Sequence, residues 1–206
     1  MKCENEFEKA FWQEGFQIVL GMDEAGRGPI AGPLVVAGVC FPEGYEHDSI
    51  YDSKKISEKK REELFLEIKE TALYYKVEII DEETIDQYNI YGATQRAMEK
   101  IAIECDCCNA ILSDAMPLPH VEKPYHALIK GDQKSVSIAA ASILAKVTRD
   151  HIMLEYDKKY PEYGFKNHKG YPTKKHIEAL DTYGLLPIHR KSYGPVQKRL
   201  QVHFDI

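Results

Sequence analysis

No apolar run in the 206-residue sequence approaches the roughly 20 residues that a membrane-spanning helix needs, and a membrane partner is not expected. The N-terminal stretch, residues 1–14, is acidic and amphipathic. It lacks the basic-then-apolar order of a secretory signal, so a cytoplasmic protein is expected. An even, regularly spaced cysteine set is missing as well. The five cysteines (Cys3, Cys40, Cys105, Cys107 and Cys108) show no zinc-ligand spacing with one another or with histidine. Cys105-Asp106-Cys107-Cys108 alone supplies too few ligands for a metal site, and reduced thiols are expected. Repeats, low-complexity tracts and long linkers are absent. The chain therefore reads as one domain, residues 1–206, with a core over about 17–160 and a smaller helical part over about 161–206. Net positive charge is also lacking: the balance is −6, which counts against a nucleic-acid partner until the chain is divided. Residues 130–206 carry 14 Lys and Arg against 8 Asp and Glu, hence +6. Residues 1–129 hold the remaining 13 against 25, hence −12. One cationic face would produce that asymmetry, and so would chance decoration of surface helices.

What is present alternates between strand and helix patterns. Gln17 to Met22 is a short apolar run that stops at an acidic pair and a Gly-rich turn. Pro33 to Phe41 is a Val-rich second strand, so the two are expected to form a hairpin around residues 23–32. Ser57 can cap a helix running to about Ala72, with Leu64, Ile68 and Ala72 on one face. Tyr74 to Ile80 reads as a third strand and Asn89 to Cys105 as a helix with Ala93, Ala97, Ile101 and Ala102 inward. Asn109 to Leu112 is a fourth strand ending at Ser113-Asp114. Tyr125 to Ile129 is a fifth, ending at Lys130-Gly131-Asp132. A long helix spans Ser135 to Lys159, and further helices are expected from Thr173 to about Tyr183 and after Pro195. The class is α/β, in three layers.

Asp23, Glu24, Asp114 and Asp132 stand at or just past the C-terminal ends of three predicted strands, the edge where ligands gather in open α/β sheets. Converging carboxylates raise one another's pKa unless a cation sits among them, and an all-oxygen set suits Mg²⁺ or Mn²⁺. Adjacent strand residues point to opposite faces, so Asp23 and Glu24 are expected to share a site through a bend that Gly26 and Gly28 make cheap. The loop Gly26-Arg27-Gly28-Pro29 offers backbone N–H groups that can cradle a phosphate, and it can equally be a plain hairpin turn.

Those residues resemble a known family. Asp23-Glu24-Ala25-Gly26-Arg27-Gly28, followed by Ala31-Gly32-Pro33, looks like the opening motif of bacterial ribonuclease HII, the type 2 ribonuclease H. Asp52-Ser53-Lys54-Lys55 and Tyr88-Asn89-Ile90 with Ala93-Thr94 agree in order and spacing. So do Lys130-Gly131-Asp132, the stretch from Ser137 to Val147, His168 to His176, and Pro187-Ile188-His189-Arg190. The resemblance covers residues 17–197. It implies a ribonuclease H-like fold with a mixed five-stranded sheet and a small helical C-terminal part. It also implies a four-carboxylate centre at Asp23, Glu24, Asp114 and Asp132. The type 3 relatives carry an added N-terminal substrate-binding domain; with some 16 residues before the first strand, a type 3 enzyme is not expected.

The implied activity is divalent-metal hydrolysis of the phosphodiester on the 5′ side of a ribonucleotide, leaving a 3′-hydroxyl and a 5′-phosphate. The implied substrates are RNA/DNA hybrids and duplex DNA with embedded ribonucleotides. Two ions roughly 3.5–4 Å apart can serve such a reaction. Asp23 and Asp114 are expected to hold the metal most directly, with Glu24 and Asp132 completing its shell. The resemblance assigns ribonucleotide recognition to Gly26, Arg27 and Gly28, and Tyr171 resembles a tyrosine that stacks on the following sugar. Lys54, Lys146, Lys169 and Arg190, with Lys174 and Lys175, are candidate phosphate contacts. Ser142 is a candidate phosphate ligand beside the metal, and His168 and His176 are candidates for proton transfer or for the phosphate groove. Gln197 to Phe204 resembles a sliding-clamp-binding peptide, while Val196, Leu200 and Phe204 read equally as the inner face of a closing helix. A DNA-cutting enzyme of the same fold is disfavoured by the Gly-Arg-Gly loop. A noncatalytic nucleic-acid binder should have lost a carboxylate, and a nucleotide-binding protein would need P-loop or dinucleotide-binding spacing.

Overall fold

The computed structural model describes residue 3 and residues 5–201. Five strands, β1 (Val19–Ala25), β2 (Leu34–Cys40), β3 (Tyr74–Ile80), β4 (Ala110–Asp114) and β5 (Tyr125–Leu128), form one sheet in the order β3-β2-β1-β4-β5. β1 runs antiparallel to β2 and parallel to β4, and β4 runs parallel to β5, so the sheet is mixed as expected.

The alternation of β1 sorts the layers. Val19 joins Phe11 of α1 (Glu6–Gln13), Ala110, Leu112, Leu128 and Ile138 of α4 (Val136–Lys159) in one buried cluster. Gly21 lies on that face too: a Cβ there would stand 2.2 Å from the backbone of Ser137. Only glycine admits so close an approach, and it lets the first turn of α4 lie directly on the strand. Leu20 and Met22 take the other face, where Ile101 of α3 (Glu82–Glu104) would lie 2.6 Å from a Cβ added at Gly38. Helix, sheet and helix make the three layers.

The start of α4 is also fixed by side chains that the sequence pattern does not single out. Asn5 Oδ1 accepts the Val136 N–H (3.0 Å), Glu8 Oε1 accepts that of Ser137 (3.3 Å), and Ser135 Oγ accepts that of Ile138 (3.1 Å). These donors have no partner inside the helix, so Asn5, Glu8 of α1 and Ser135 together cap it. α2 (Glu58–Thr71) begins at Ser57, whose side chain accepts from Lys60 N, and buries Leu64 and Ile68.

Two boundaries differ from expectation. β1 does not end at Met22: its ladder with β2 continues through Asp23↔Ala37, Glu24↔Val36 and Ala25↔Val35. β2 is buried at all seven positions, and pairing with it carries the acidic residues into the strand. α3 begins seven residues before Asn89. Asn89 sits at φ 55°, ψ 168°, and its Oδ1 accepts the N–H of Tyr91 and Gly92, so it caps the second of two helical segments. The first, from Glu82, is mostly polar and buries Ile85, too little periodicity to see in the sequence.

The chain divides into two compact units. The first comprises residues 1–25, 35–78 and 94–147, and the second 26–34, 79–93 and 148–206. The second holds α5 (Phe165–His168), α6 (Lys174–Tyr183) and α7 (Gly194–Gln201). Its core gathers Ile30, Ala31, Met153, Tyr163, Phe165, Leu180, Ile188 and Val196. No helix among the described residues is long and apolar enough to cross a membrane.

Candidate active site

Strand register brings the first two carboxylates together. The parallel pairing of β1 with β4 runs to Met22↔Ser113, and the next residue on each strand is an aspartate, Asp23 and Asp114. Residues level with each other on parallel strands share a face, so both acids project from the C-terminal edge on the side of Gly21 and α4. Asp114 Oδ1 accepts the Gly131 N–H at 2.7 Å. That bond anchors the 3-10 turn Gly131–Gln133, entered through Lys130 in the left-handed region (φ 58°), and the turn carries buried Asp132.

The expected bend between Asp23 and Glu24 does not occur, because the ladder to β2 holds the strand extended through Ala25. The two acids keep opposite sides of β1 and are coupled across the strand end. Asp23 Oδ1 turns along the chain to accept the Glu24 N–H at 2.7 Å. Burial raises the Asp23 carboxyl well above its ordinary range, the charges of Glu24 and Asp114 push it further, and the Ser142 hydroxyl and the Glu24 amide oppose them. Asp132 is raised by burial, then by Asp52 and Asp114, against Lys54 and Lys55.

Asp52 is the acid that sequence reasoning passed over. It is 5% exposed, accepts the Lys54 N–H at 3.0 Å and Gln133 Nε2 at 3.2 Å, and lies 3.8 Å from Lys55 Nζ. Its neighbour Ser53 places Oγ 3.0 Å from Ser142 Oγ. The motif Asp52-Ser53-Lys54-Lys55 carried the signal, but nothing in a linear sequence sets it beside residues 132 and 142. Asp23, Asp132 and Asp52 are buried, and the Asp23 and Asp132 carboxyls are both pushed upward, by burial first and then by neighbouring carboxylates. An oxygen-only set of this kind fits a hard divalent cation, which would relieve the repulsion.

In the second unit the Gly-rich loop is held from behind. Gly26 has φ 104°, and a Cβ there would meet Arg149 Nε at 2.3 Å and Pro33 O at 2.8 Å. Arg149 donates to the carbonyls of Pro33 (2.9 Å), Ala31 (3.1 Å) and Lys169 (2.9 Å). Arg190 donates to Gly32 O at 2.9 and 2.7 Å, and the Tyr193 hydroxyl to Arg27 O at 2.7 Å. Arg27 and Gly28 are exposed. The ring of Tyr171 leans on Gly28, 3.1 Å from where a Cβ would stand, and Tyr171 is 47% exposed. Its backbone is fixed on both sides, donating to His168 O (2.8 Å) and accepting from Thr173 N (2.8 Å) and His176 Nδ1 (2.9 Å).

Three expected contacts change role. Arg190 is fully buried and its guanidinium is spent on the carbonyls of Gly32 and Arg27 and on the Tyr193 hydroxyl, so it is not a phosphate contact as it stands. His168 and His176 are buried as well and are removed from proton transfer. His168 Nε2 donates to Tyr163 O (2.9 Å) and its Nδ1 accepts from Gly170 N (3.2 Å). Because His176 Nδ1 must donate to a carbonyl, its Nε2 accepts from His189 Nε2 at 3.1 Å, while His189 Nδ1 accepts the Leu186 N–H. Burial pulls His176 and His189 down to about 4, so these rings are neutral. Of the expected lysines, Lys54 is exposed and Lys146 and Lys169 are half-buried; Lys169 Nζ reaches Lys166 O. Ser142 is buried between Asp23 and Ser53.

A sequence-family model described as Ribonuclease HII matches residues 20–196. A ribonuclease HII of Acholeplasma laidlawii is 51% identical over 199 residues, covering 95% of this chain and 96% of that protein. Among solved structures, the ribonuclease H2 of Pyrococcus horikoshii superposes with a TM-score of 0.72 at 26% identity, covering 92% of this chain and all of that one. The RNase HII of Archaeoglobus fulgidus, solved as a PCNA:RNase HII complex, gives 0.66 at 25% identity, over 85% of this chain and 95% of that one. The match to the family model spans both units and takes in the acidic edge, the glycine loop and the Tyr171 segment. The chain therefore belongs to the ribonuclease HII family, metal-dependent endonucleases that hydrolyse RNA in RNA/DNA hybrids.

Proposed function

We propose that this ribonuclease cuts on the 5′ side of ribonucleotides, both in RNA/DNA hybrids and at single ribonucleotides embedded in duplex DNA, leaving a 3′-hydroxyl and a 5′-phosphate. The observation that carries the reading is the pair Asp23 and Asp114 at the matched ends of two parallel strands, with Asp23 raised by burial and by the neighbouring charges. Asp23 and Asp114 would hold Mg²⁺ or Mn²⁺ most directly, with Glu24 and Asp132 completing the donor set. Such a cation supplies charge neutralisation at the phosphate and a water activated at neutral pH. Asp52 positions this centre by tying Gln133, next to Asp132, to the Lys54 turn. Ser142 orients Asp23. Lys54, Lys146 and Lys169 would contact phosphates.

Gly26, Arg27 and Gly28 are assigned to the 2′-hydroxyl, the one group that distinguishes RNA from DNA at a given nucleotide. Arg149, Arg190 and Tyr193 engage the carbonyls of residues 27, 31, 32 and 33, which favours a loop that meets its ligand through N–H groups. Tyr171, exposed and braced on Gly28, would stack on the sugar that follows and favour a deoxyribose there. The family match across both units supports one catalytic domain over residues 1–206. The solved archaeal complex supports clamp docking through Gln197 to Phe204. Here Val196 is buried, Leu200 packs on the second unit's core, and Phe204 lies outside the described residues.

The test is a DNA duplex with one embedded ribonucleotide, incubated with Mg²⁺, with Mn²⁺ and with chelator. Incision on the 5′ side, dependent on metal and absent from the all-DNA duplex, is expected. Intact substrate under every condition, alongside active cleavage of a long hybrid, would overturn the embedded-ribonucleotide part alone.

A further inference from the structure

Far from the acidic edge, the first unit gathers four of the five cysteines. Cys40 ends β2, and Cys105, Cys107 and Cys108 lie in the turn between α3 and β4. Cys40 pairs with Leu20, three residues before Asp23, which puts it about 10 Å back along β1. The Sγ atoms of Cys40 and Cys105 are 3.6 Å apart, and those of Cys105 and Cys107 are also 3.6 Å apart. All three lie within 4.8 Å of one another. Cys108 follows in the same turn, with its thiol donating to Cys105 O at 3.4 Å.

We propose that Cys40, Cys105 and Cys107 bind zinc, with Cys108 turning its thiol from the Cys105 carbonyl onto the ion to complete a tetrathiolate site that staples the α3–β4 turn to the end of β2. A tetrahedral centre with Zn–S bonds of about 2.3 Å has sulfur–sulfur edges of about 3.8 Å, close to both measured separations. A disulfide needs about 2.05 Å and would join only two of the four. All five cysteines are free thiols, so no pair is already consumed.

Without an ion, neighbouring sulfurs and burial hold Cys40 and Cys105 as neutral thiols, and a cation among them would let them ionise. Lys123 Nζ donates to the carbonyls of Ala102 (3.2 Å) and Cys105 (2.6 Å) and approaches Cys108 Sγ at 3.4 Å. Four thiolates around Zn²⁺ carry a net charge of −2, and an ammonium donating to one sulfur offsets part of it, as outer-sphere donors do. The hydroxyl of Tyr74 is buried without a hydrogen-bond partner, and Cys105 and Cys40 both act on it. Cys107 is exposed, which gives an ion a way in. Each thiol gives up its proton on binding, so uptake of the ion releases protons to solvent. Soft sulfur selects zinc while the hard carboxylate edge suits Mg²⁺ or Mn²⁺, so the two centres sort their metals.

The experiment uses the full chain purified under reducing conditions. Elemental analysis after desalting should find one zinc per chain. Cobalt substituted for zinc should give the thiolate-to-metal charge-transfer band and intense visible bands of a tetrahedral site. Asp23→Asn should keep both signals, which separates them from the carboxylate centre. Cys107→Ser, at an exposed position, should fold normally, bind zinc at least about 10-fold more weakly, and cleave hybrids in Mg²⁺ at the parental rate. Cys40→Ser should lose the cobalt band. The proposal fails if no zinc is retained and cobalt gives only the faint spectrum of an oxygen site. It fails equally if Cys107→Ser and Cys40→Ser both bind zinc like the parent, or if the freshly purified protein holds a Cys40–Cys105 disulfide in place of the ion.

Discussion

Asp23 and Asp132 in the first unit are about as buried as His168 and His189 in the second, at 5% and 7% against 8% and 2%. All four are ionisable groups in low-dielectric surroundings, but their partners differ. Asp23 is ringed by acids, with a hydroxyl and an amide as its hydrogen-bond donors. The histidines, with Arg149 and Arg190, end on backbone carbonyls and amides, on each other or on the Tyr193 hydroxyl. Burial alone therefore does not mark a functional group. A buried polar cluster whose hydrogen bonds close on the protein is scaffold, whereas one left with like charges facing each other is built for something brought from outside.

The sharpest way to break this contrast is Asp23→Asn, which keeps size and removes charge. Single-turnover cleavage of a hybrid should fall about 100-fold or more, since even outer-sphere changes at metal sites cost about 10–100-fold. Near-parental turnover would sink the assignment. Next comes Arg190→Met, which leaves Gly32 O without its donors. Hydrogen bonds to charged groups contribute about 1.5–3 kcal/mol each. A loss of roughly 2–4 kcal/mol is expected, seen as a Tm lower by about 5–15 °C. An unchanged melting curve would remove Arg190 from the scaffold.

Tyr171→Ala tests whether the second unit holds a functional group outside its scaffold. The ring is half exposed, so Tm should stay put while incision at a single ribonucleotide falls about 10-fold, as base-stacking aromatics are worth about 1–3 kcal/mol. A matching fall in stability would make Tyr171 scaffold instead.

The smallest effect is a difference in the sign of pH dependence. Asp23 is raised in the fold, so its contribution to stability is complete below its unfolded pKa and is lost as pH rises through the folded value. Without metal, Asp23→Asn should thus raise Tm at neutral pH by a few degrees, at about 2–4 °C per kcal/mol, and the gain should vanish on acidification. His176 is lowered, to about 4, so its contribution is complete above about 6.5 and is lost as pH falls through that window. His176→Phe should melt below the parent at neutral pH, with the gap closing toward pH 4. Equal slopes for the two variants would mean the regions are not electrostatically distinct.

Much of the fold could be read from the chain because its signals are local. The apolar runs of β1 and β2, the cap Ser57, and the buried spacing of Ala93, Ala97 and Ile101 each depend on residues a few positions apart. The polar first segment of α3 and the end of β1 could not, since pairing with β2 overrides the composition of Asp23 and Glu24. At the candidate site, the acids were visible as strand-end carboxylates. Asp52 was not assigned, because its neighbours Asp132 and Gln133 come from 80 positions away or more.

By itself, the sequence determined the class of fold, the family and the positions at which acids, glycines and Tyr171 stand, all properties of residue type and spacing. Tertiary structure decided which groups face each other. It turned Arg190 inward onto Gly32 O, made His176 a neutral link between Tyr171 and His189, and carried Cys40 across 65 positions to Cys105. The physical reason is the same in each case. Burial and partnership set what an ionisable or thiol group does, and neither exists until the chain has folded.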